Sequence, residues 1–214
     1  MPLIGVSKPR IALYANNNGV VTYSNGMLMG KAVEMSADVN YSGNNDFFAD
    51  NALDETANEF SDGTITAKTN NLSQNVCQKI LGLDTQELTG TAAIDGVTDT
   101  GIQENIYNNK QTTVYTGVSW VEMWRIGGQT LYKGIVYTKV AWNIPANAAT
   151  TKGAQIDWQV PEITGKIMRD DTADQNWKRD AGMFTTEDQA DTYCRARLNI
   201  QASAVTPAPA GGGG

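Results

Sequence analysis

The sequence predicts a mainly β (α+β) fold: two packed antiparallel β-sheets forming a sandwich or barrel-like domain, with one or two flanking α-helices. Three observations carry this. The stretch Val114 to Trp142 reads as two long strands joined at Gly127-Gly128 and apolar on both faces. From Met27 to Asn40 apolar and polar residues alternate with the period of a half-buried strand. Helical period with matching cap residues occurs only in two short stretches, after Ser73 and after Thr186.

A Gly-Gly pair suits a two-residue hairpin turn because both central positions need positive φ. That register places Trp124 opposite Leu131, Glu122 opposite Lys133, Trp120 opposite Ile135 and Val118 opposite Tyr137 on one face. Met123 then faces Tyr132, and Tyr115 faces Val140, on the other. The opposed charges of Glu122 and Lys133 favour the alignment. A hairpin apolar on both faces needs the core on one side and a second layer or another subunit on the other.

Residues 1–9 read as an extended N-terminal arm, because Pro2 and Pro9 resist helix. Strands flank the turn dipeptide Asn18-Gly19, and Asn25-Gly26 marks a second turn. Tyr41 to Asp62 reads as a long acidic inter-strand loop carrying Phe47, Phe48, Leu53 and Phe60; loops of that length are commonly functional or disordered. Thr64 to Thr69 is strand-like. Ser73 caps a short helix with Val76, Cys77, Ile80 and Leu81 on one face, and Gly82 ends it. Asp84 to Gln111 is weakly patterned, and a short strand with surface loops is expected. Asn143 to Lys152 reads as a loop. The apolar phase of Gln155 to Asp170 switches at Pro161, as in a broken or bulged strand. Trp177 to Phe184 reads as a further strand. Thr186 and Gln189 form a capping box for a helix presenting Ala190, Tyr193, Cys194 and Leu198. A domain over 10–199 and a disordered Pro/Gly-rich tail over 200–214 complete the expected organisation.

Composition removes several functions. There is no histidine among the 214 residues, so Ser-His-Asp, Cys-His and His-zinc chemistry is excluded. A net charge of −7 opposes general binding to nucleic acid or anionic membranes. Cys77 and Cys194 fall on apolar helix faces and are expected as buried free thiols. The opening residues have no apolar h-region, so no classical export signal and no membrane anchor are expected. No phosphate loop, dinucleotide fingerprint or Cys-x-x-Cys motif is present. Asp170, Thr172, Asp174 and Asn176 alternate like calcium ligands. However, Gln175 stands where the loop needs glycine and Ala181 where it needs glutamate, so the end of a strand is expected instead. Asp54 and Glu55 are a carboxylate pair of the kind glycoside hydrolysis uses, with nothing to fix their separation. Exposed Trp and Tyr among Asn-rich loops suit a carbohydrate-binding sandwich, although Trp120 and Trp124 on a strand pattern are core candidates. No enzyme activity and no cofactor are expected.

The order of motifs then becomes specific. IGVSKPRIALYANNNGVVTYSNGMLMGKAVEMSADV, NNDFFADNALDE, IDWQVPEITGKIMRDD and NWKRDAGMFTTEDQADTYCRARL together resemble the major tail protein (tail tube protein) family of long-tailed bacteriophages, of the type common in phages of Gram-positive hosts. The resemblance runs through most of residues 4–199, and Asp46–Glu55 and Ile156–Asp171 are its most specific parts. It implies a structural tail tube subunit of the virion, assembled in the host cytoplasm. In that family hexameric rings stack around a channel that conducts DNA from capsid to host without binding it specifically. Implied partners are further copies of the chain, a tape-measure protein, and tail terminator and distal tail proteins. Six copies carry about −40, and a like-charged wall lets DNA slide. Contacts between subunits or rings are expected at Asp46, Phe47, Phe48, Asp50, Leu53, Asp54, Glu55 and Phe60. A ring-forming hairpin is expected at Trp120, Glu122, Trp124, Leu131, Lys133 and Ile135. A carbohydrate-binding module and a bacterial secretion-system tube ring protein are the alternatives.

Overall fold

The computed structural model describes residues 2–49, 52–87, 103–146 and 159–201, with backbone alone over 43–49 and 52–58. Three antiparallel hairpins dominate: β1 (Leu3–Asn17) with β2 (Val20–Leu28), β3 (Ala32–Ala49) with β4 (Ala52–Thr69), and β7 (Tyr115–Ile126) with β8 (Gln129–Trp142). Helix α1 (Gln74–Leu81) follows β4. Strands β5 (Asp84–Glu87) and β6 (Gln103–Ile106) form a small separate sheet. β9 (Glu162–Met168), β10 (Lys178–Asp180) and α2 (Glu187–Arg197) complete the chain. The large sheet runs β2-β1-β7-β8-β9-β4-β3, with β10 also paired to β8. Ile11 of β1 and Ile65 of β4, from opposite ends of that order, share one core cluster. The sheet therefore folds over on itself, and the result is sandwich-like, not a closed barrel.

The expected β7–β8 register is present from Val118↔Tyr137 through Trp124↔Leu131 to Ile126↔Gln129. Gly127 and Gly128 have φ of 55° and 83°, the left-handed pair this turn requires. Nearer the root the register differs. Tyr115 faces Ala141 and Thr116 faces Val140, because Gly117 alone opposes Thr138 and Lys139. This bulge changes the phase of β8: Ile135 and Tyr137 enter the core before it, Val140 and Trp142 after it.

Why the hairpin is apolar on both faces is now visible. One face meets the main core through Val118, Trp120, Ile135 and Tyr137. On the other, Val121 and Val136 lie beneath Ala190, Cys194 and Leu198, so the second layer is the chain's own helix α2. Two strand glycines permit that approach. A Cβ at Gly134 would stand 2.7 Å from the Tyr193 ring, and one at Gly117 would stand 2.5 Å from Leu198.

Both helices have the expected caps. Ser73 accepts from the Val76 amide and Gly82 closes α1 in the left-handed region. Thr186 and Gln189 form both halves of the capping box on α2.

Several expectations are corrected. Residues 1–9 are not an arm apart from the domain: Leu3 to Ser7 pair with β7, and the Arg125 amide donates to Pro2 O. Proline is tolerated because Pro2 precedes the strand and Pro9 sits in a bulge, where Lys8 and Pro9 together oppose Trp120. Asn25-Gly26 is a bulge inside β2 opposite Ala12, with Asn25 at φ 51°, not a turn. The strand expected from Met27 is broken at Gly30, where φ is 133°. Within Tyr41 to Asp62, expected as a loop, the described residues continue β3 to Ala49 and begin β4 at Ala52 as paired strands. In Trp177 to Phe184 only Lys178–Asp180 is strand, with one further bridge between Phe184 and Tyr132. Ile200, assigned to the tail, packs in the cluster under α2. Residues 202–214, like 147–158, lie outside the described residues.

Candidate assembly interface

The β3–β4 hairpin outgrows the sheet that holds it. β4 pairs with β9 only over Gly63–Lys68, and among the described residues Tyr41–Ala49 and Ala52–Phe60 pair solely with each other. At about 3.3 Å per residue this two-stranded arm extends roughly 25–30 Å past its last flanking strand. An isolated two-stranded ribbon is marginal in water, and neither edge of the arm has a strand partner among the described residues. The stretch 41–62 contains Asp46, Asp50, Asp54, Glu55, Glu59 and Asp62 and no Lys or Arg, which is most of the chain's net charge. Within it Asp46 pairs with Thr56, Phe47 with Glu55 and Phe48 with Leu53. Asp54 lies on β4 between the last two of these pairs. Asp50 lies outside the described residues. Phe60 is not a surface residue: it is buried in the core and stacked on Trp177 at 4.4 Å.

Two further surfaces stay open. The outer edges of β2 and β3 have no strand partner among the described residues, and Val20, Val33 and Tyr41 on them are 63%, 52% and 58% exposed. At the far end of β7–β8, Trp124 and Leu131 are half-buried beside the exposed Leu3 and Ile4 of β1. Of the six hairpin residues expected at a ring contact, Trp120 and Ile135 are core. Glu122 and Lys133 oppose each other in register but are bonded elsewhere. Glu122 accepts from Trp124 Nε1 at 3.0 Å, and Lys133 bonds Asp180 at 2.5 Å. That Lys133 hydrogen bond holds the Asp180 carboxyl below the usual carboxylate range.

One cluster joins the two ends of the chain. Arg10 on β1 donates to both oxygens of the buried Asp191 on α2, at 2.6 and 3.0 Å. Arg195 adds a second, less well aligned cation at 3.3 Å. Ser7 and Lys8 donate to Glu187 and Asp188 nearby, so the first strand is tied to the last helix by charge-assisted bonds. The 181-residue separation of Arg10 and Asp191 hides this pairing from any short-range pattern.

The Asp170 segment is a turn. Asp170 accepts from the backbone and hydroxyl of Thr172 at 3.2 and 2.6 Å. No group of three metal-ligating side chains occurs among the described residues. Cys77 and Cys194 are both free and buried, and burial pushes the Cys194 thiol up to about 11. Asp54 and Glu55, the carboxylate pair, lie on the arm. No described helix is long and apolar enough to cross a membrane. No family model matches the chain, and no curated protein is significantly similar to it.

Proposed function

We propose that this chain is a structural, non-enzymatic tube subunit of a long-tailed bacteriophage. It polymerises into stacked hexameric rings around a channel that conducts DNA from capsid to host, with a tape-measure protein as template and terminator and distal tail proteins at the ends. The observation that carries the reading is the β3–β4 arm: an acidic two-stranded ribbon with both edges unpaired among the described residues, which should contribute little to its own monomer. Such an element is retained for a partner strand or surface. The open edges of β2 and β3, each with exposed aliphatic residues, supply a second contact suited to lateral closure. Resemblance of the sequence to the tail tube family supports the same assignment. Burial of Trp120 and Trp142 removes two of the rings that a glycan-binding face would use.

Negative-stain electron microscopy across a concentration series, with solution mass measured alongside, tests this. Hollow rings or tubes of uniform width are expected. Deleting Asp46–Glu55 should leave a folded monomer that forms none; normal tubes from that deletion would overturn the role of the arm. A strict monomer that is retained on a glycan array points instead to a binding module.

A further inference from the structure

The arm leaves the sheet at one defined place. Asn40 pairs with Asp62 and Tyr41 with Phe60, so Ser61 is an extra residue, and this bulge breaks the ladder at the root of the arm. A bulge re-aims a strand and turns backbone groups away from their usual partners. The freed carbonyl is that of Phe60, and the Arg169 guanidinium donates to it. Arg169 immediately follows β9, whose pairing with β4 ends at Gly63↔Ile167, so it stands two positions past the last pair. The same guanidinium lies 3.8 Å from Glu59, is held by Gln175 at 3.2 Å, and sits over the Phe60 ring at 6.0 Å.

Trp177 closes the other side. Its ring lies parallel to Phe60 with centroids 4.4 Å apart, then contacts Tyr137 at 6.4 Å, and Tyr137 stacks on Trp120 at 5.2 Å. The aromatic series therefore runs from the root of the arm to the middle of the β7–β8 hairpin. Arg169 and Trp177 both belong to the β9–β10 connection, which the Asp170–Thr172 turn and the Asp170 N–H bond to Asn176 O make rigid.

We propose that Arg169 and Trp177 form a clamp that fixes the direction in which the β3–β4 arm leaves the sheet. They are positioning residues for assembly, an inference that rests on the arm being an assembly element. A marginal ribbon free to swing at its bulge would lose orientational entropy on docking, and a clamp removes that cost beforehand.

Hydrogen exchange of the full chain at a concentration too low for assembly reads the clamp directly. In Arg169→Ala, amides of Tyr41–Phe60 should exchange about tenfold faster, the factor for losing one charge-assisted bond, while those of α2 and β7–β8 keep their rates. Arg169→Lys, which keeps the charge but not the fork, should fall between. Trp177→Ala should loosen the same peptides. The concentration needed for tubes should rise by about the same factor in Arg169→Ala. Unchanged arm exchange in Arg169→Ala overturns the clamp, and so does a loosened arm that assembles at the wild-type concentration. Failure of the assembly reading is separable: tubes would then form from the Asp46–Glu55 deletion, whatever the exchange result.

Discussion

The two longest hairpins of this molecule are built by opposite means. β7–β8 has β1 on one edge, β9 and β10 on the other, the main core on one face and α2 on the second. Its buried positions carry Val, Trp, Ile and Tyr, which fit a pleated, buried surface. β3–β4 is longer, 18 residues in each strand, yet beyond Phe60 it has no strand on either edge among the described residues, and there its residues are mostly Asn, Asp, Ala and Glu. The first hairpin is a strand pair because of its own side chains. The second continues as one because its root, Ala32–Asn40 with Asp62–Thr69, is already paired. A structure that needs the first to exist has little thermodynamic use for the end of the second.

That difference is most sharply tested by contrasting losses. Val136→Asp places an unpaired carboxylate beneath α2, where the native side chain is fully buried, and should cost more than about 4 kcal/mol and unfold the protein. The Asp46–Glu55 deletion removes more residues but should move the thermal midpoint by no more than about 3 °C. A deletion that melts as early as the Val136 variant would erase the distinction.

Asp191→Ala is next in size. It strips the partner from Arg10 in a pair whose side chains are only 15% and 7% exposed, and should cost about 2–3 kcal/mol in denaturant unfolding. A double-mutant cycle with Arg10→Ala should recover a coupling above about 1 kcal/mol; independent effects would show that β1 is held by its ladder alone. Smaller again is Gly128→Ala. Nothing lies within 4 Å of an added Cβ there, so only the positive φ opposes it, at about 1 kcal/mol.

What was legible in the sequence follows the same division. The β7–β8 register could be read because a Gly-Gly turn sets the phase, and both helix caps because they are local. The bulge at Thr138 and Lys139 was not legible: it depends on where β9 pairs with β8, more than twenty residues later. Pro2 and Pro9 argue only against helix, and nothing local shows that a distant partner, β7, pairs with Leu3 to Ser7. Phe60 was grouped with the surface phenylalanines because its stack on Trp177 spans over a hundred residues. The arm reads as a loop because its residues have low strand propensity.

The smallest expected effect contrasts a carboxylate beside Tyr14 and Lys139 with one at the root of the arm. Asp171 accepts from Lys139 at 2.8 Å and from the Tyr14 hydroxyl at 2.7 Å, and those two bonds, Lys139 first, hold its carboxyl below the usual range. A depressed folded pKa contributes stability above the unfolded value, near 4, and that contribution is lost as pH falls through the folded pKa. The side chain is 37% exposed, so screening limits the contribution to about a few tenths of a kcal/mol. Asp171→Asn should therefore be slightly less stable than wild type between pH 5 and 8, and the gap should close below about pH 4. A gap that persists in acid would assign the effect to hydrogen-bond geometry instead of charge. Asp62 is also depressed, by Lys166 and then Asn40, but Lys166 is 59% exposed against 14% for Lys139, so water screens this pair more. Asp62→Asn should show a smaller gap than Asp171→Asn, because a charge at the root of an element the monomer does not depend on has less folded structure to stabilise.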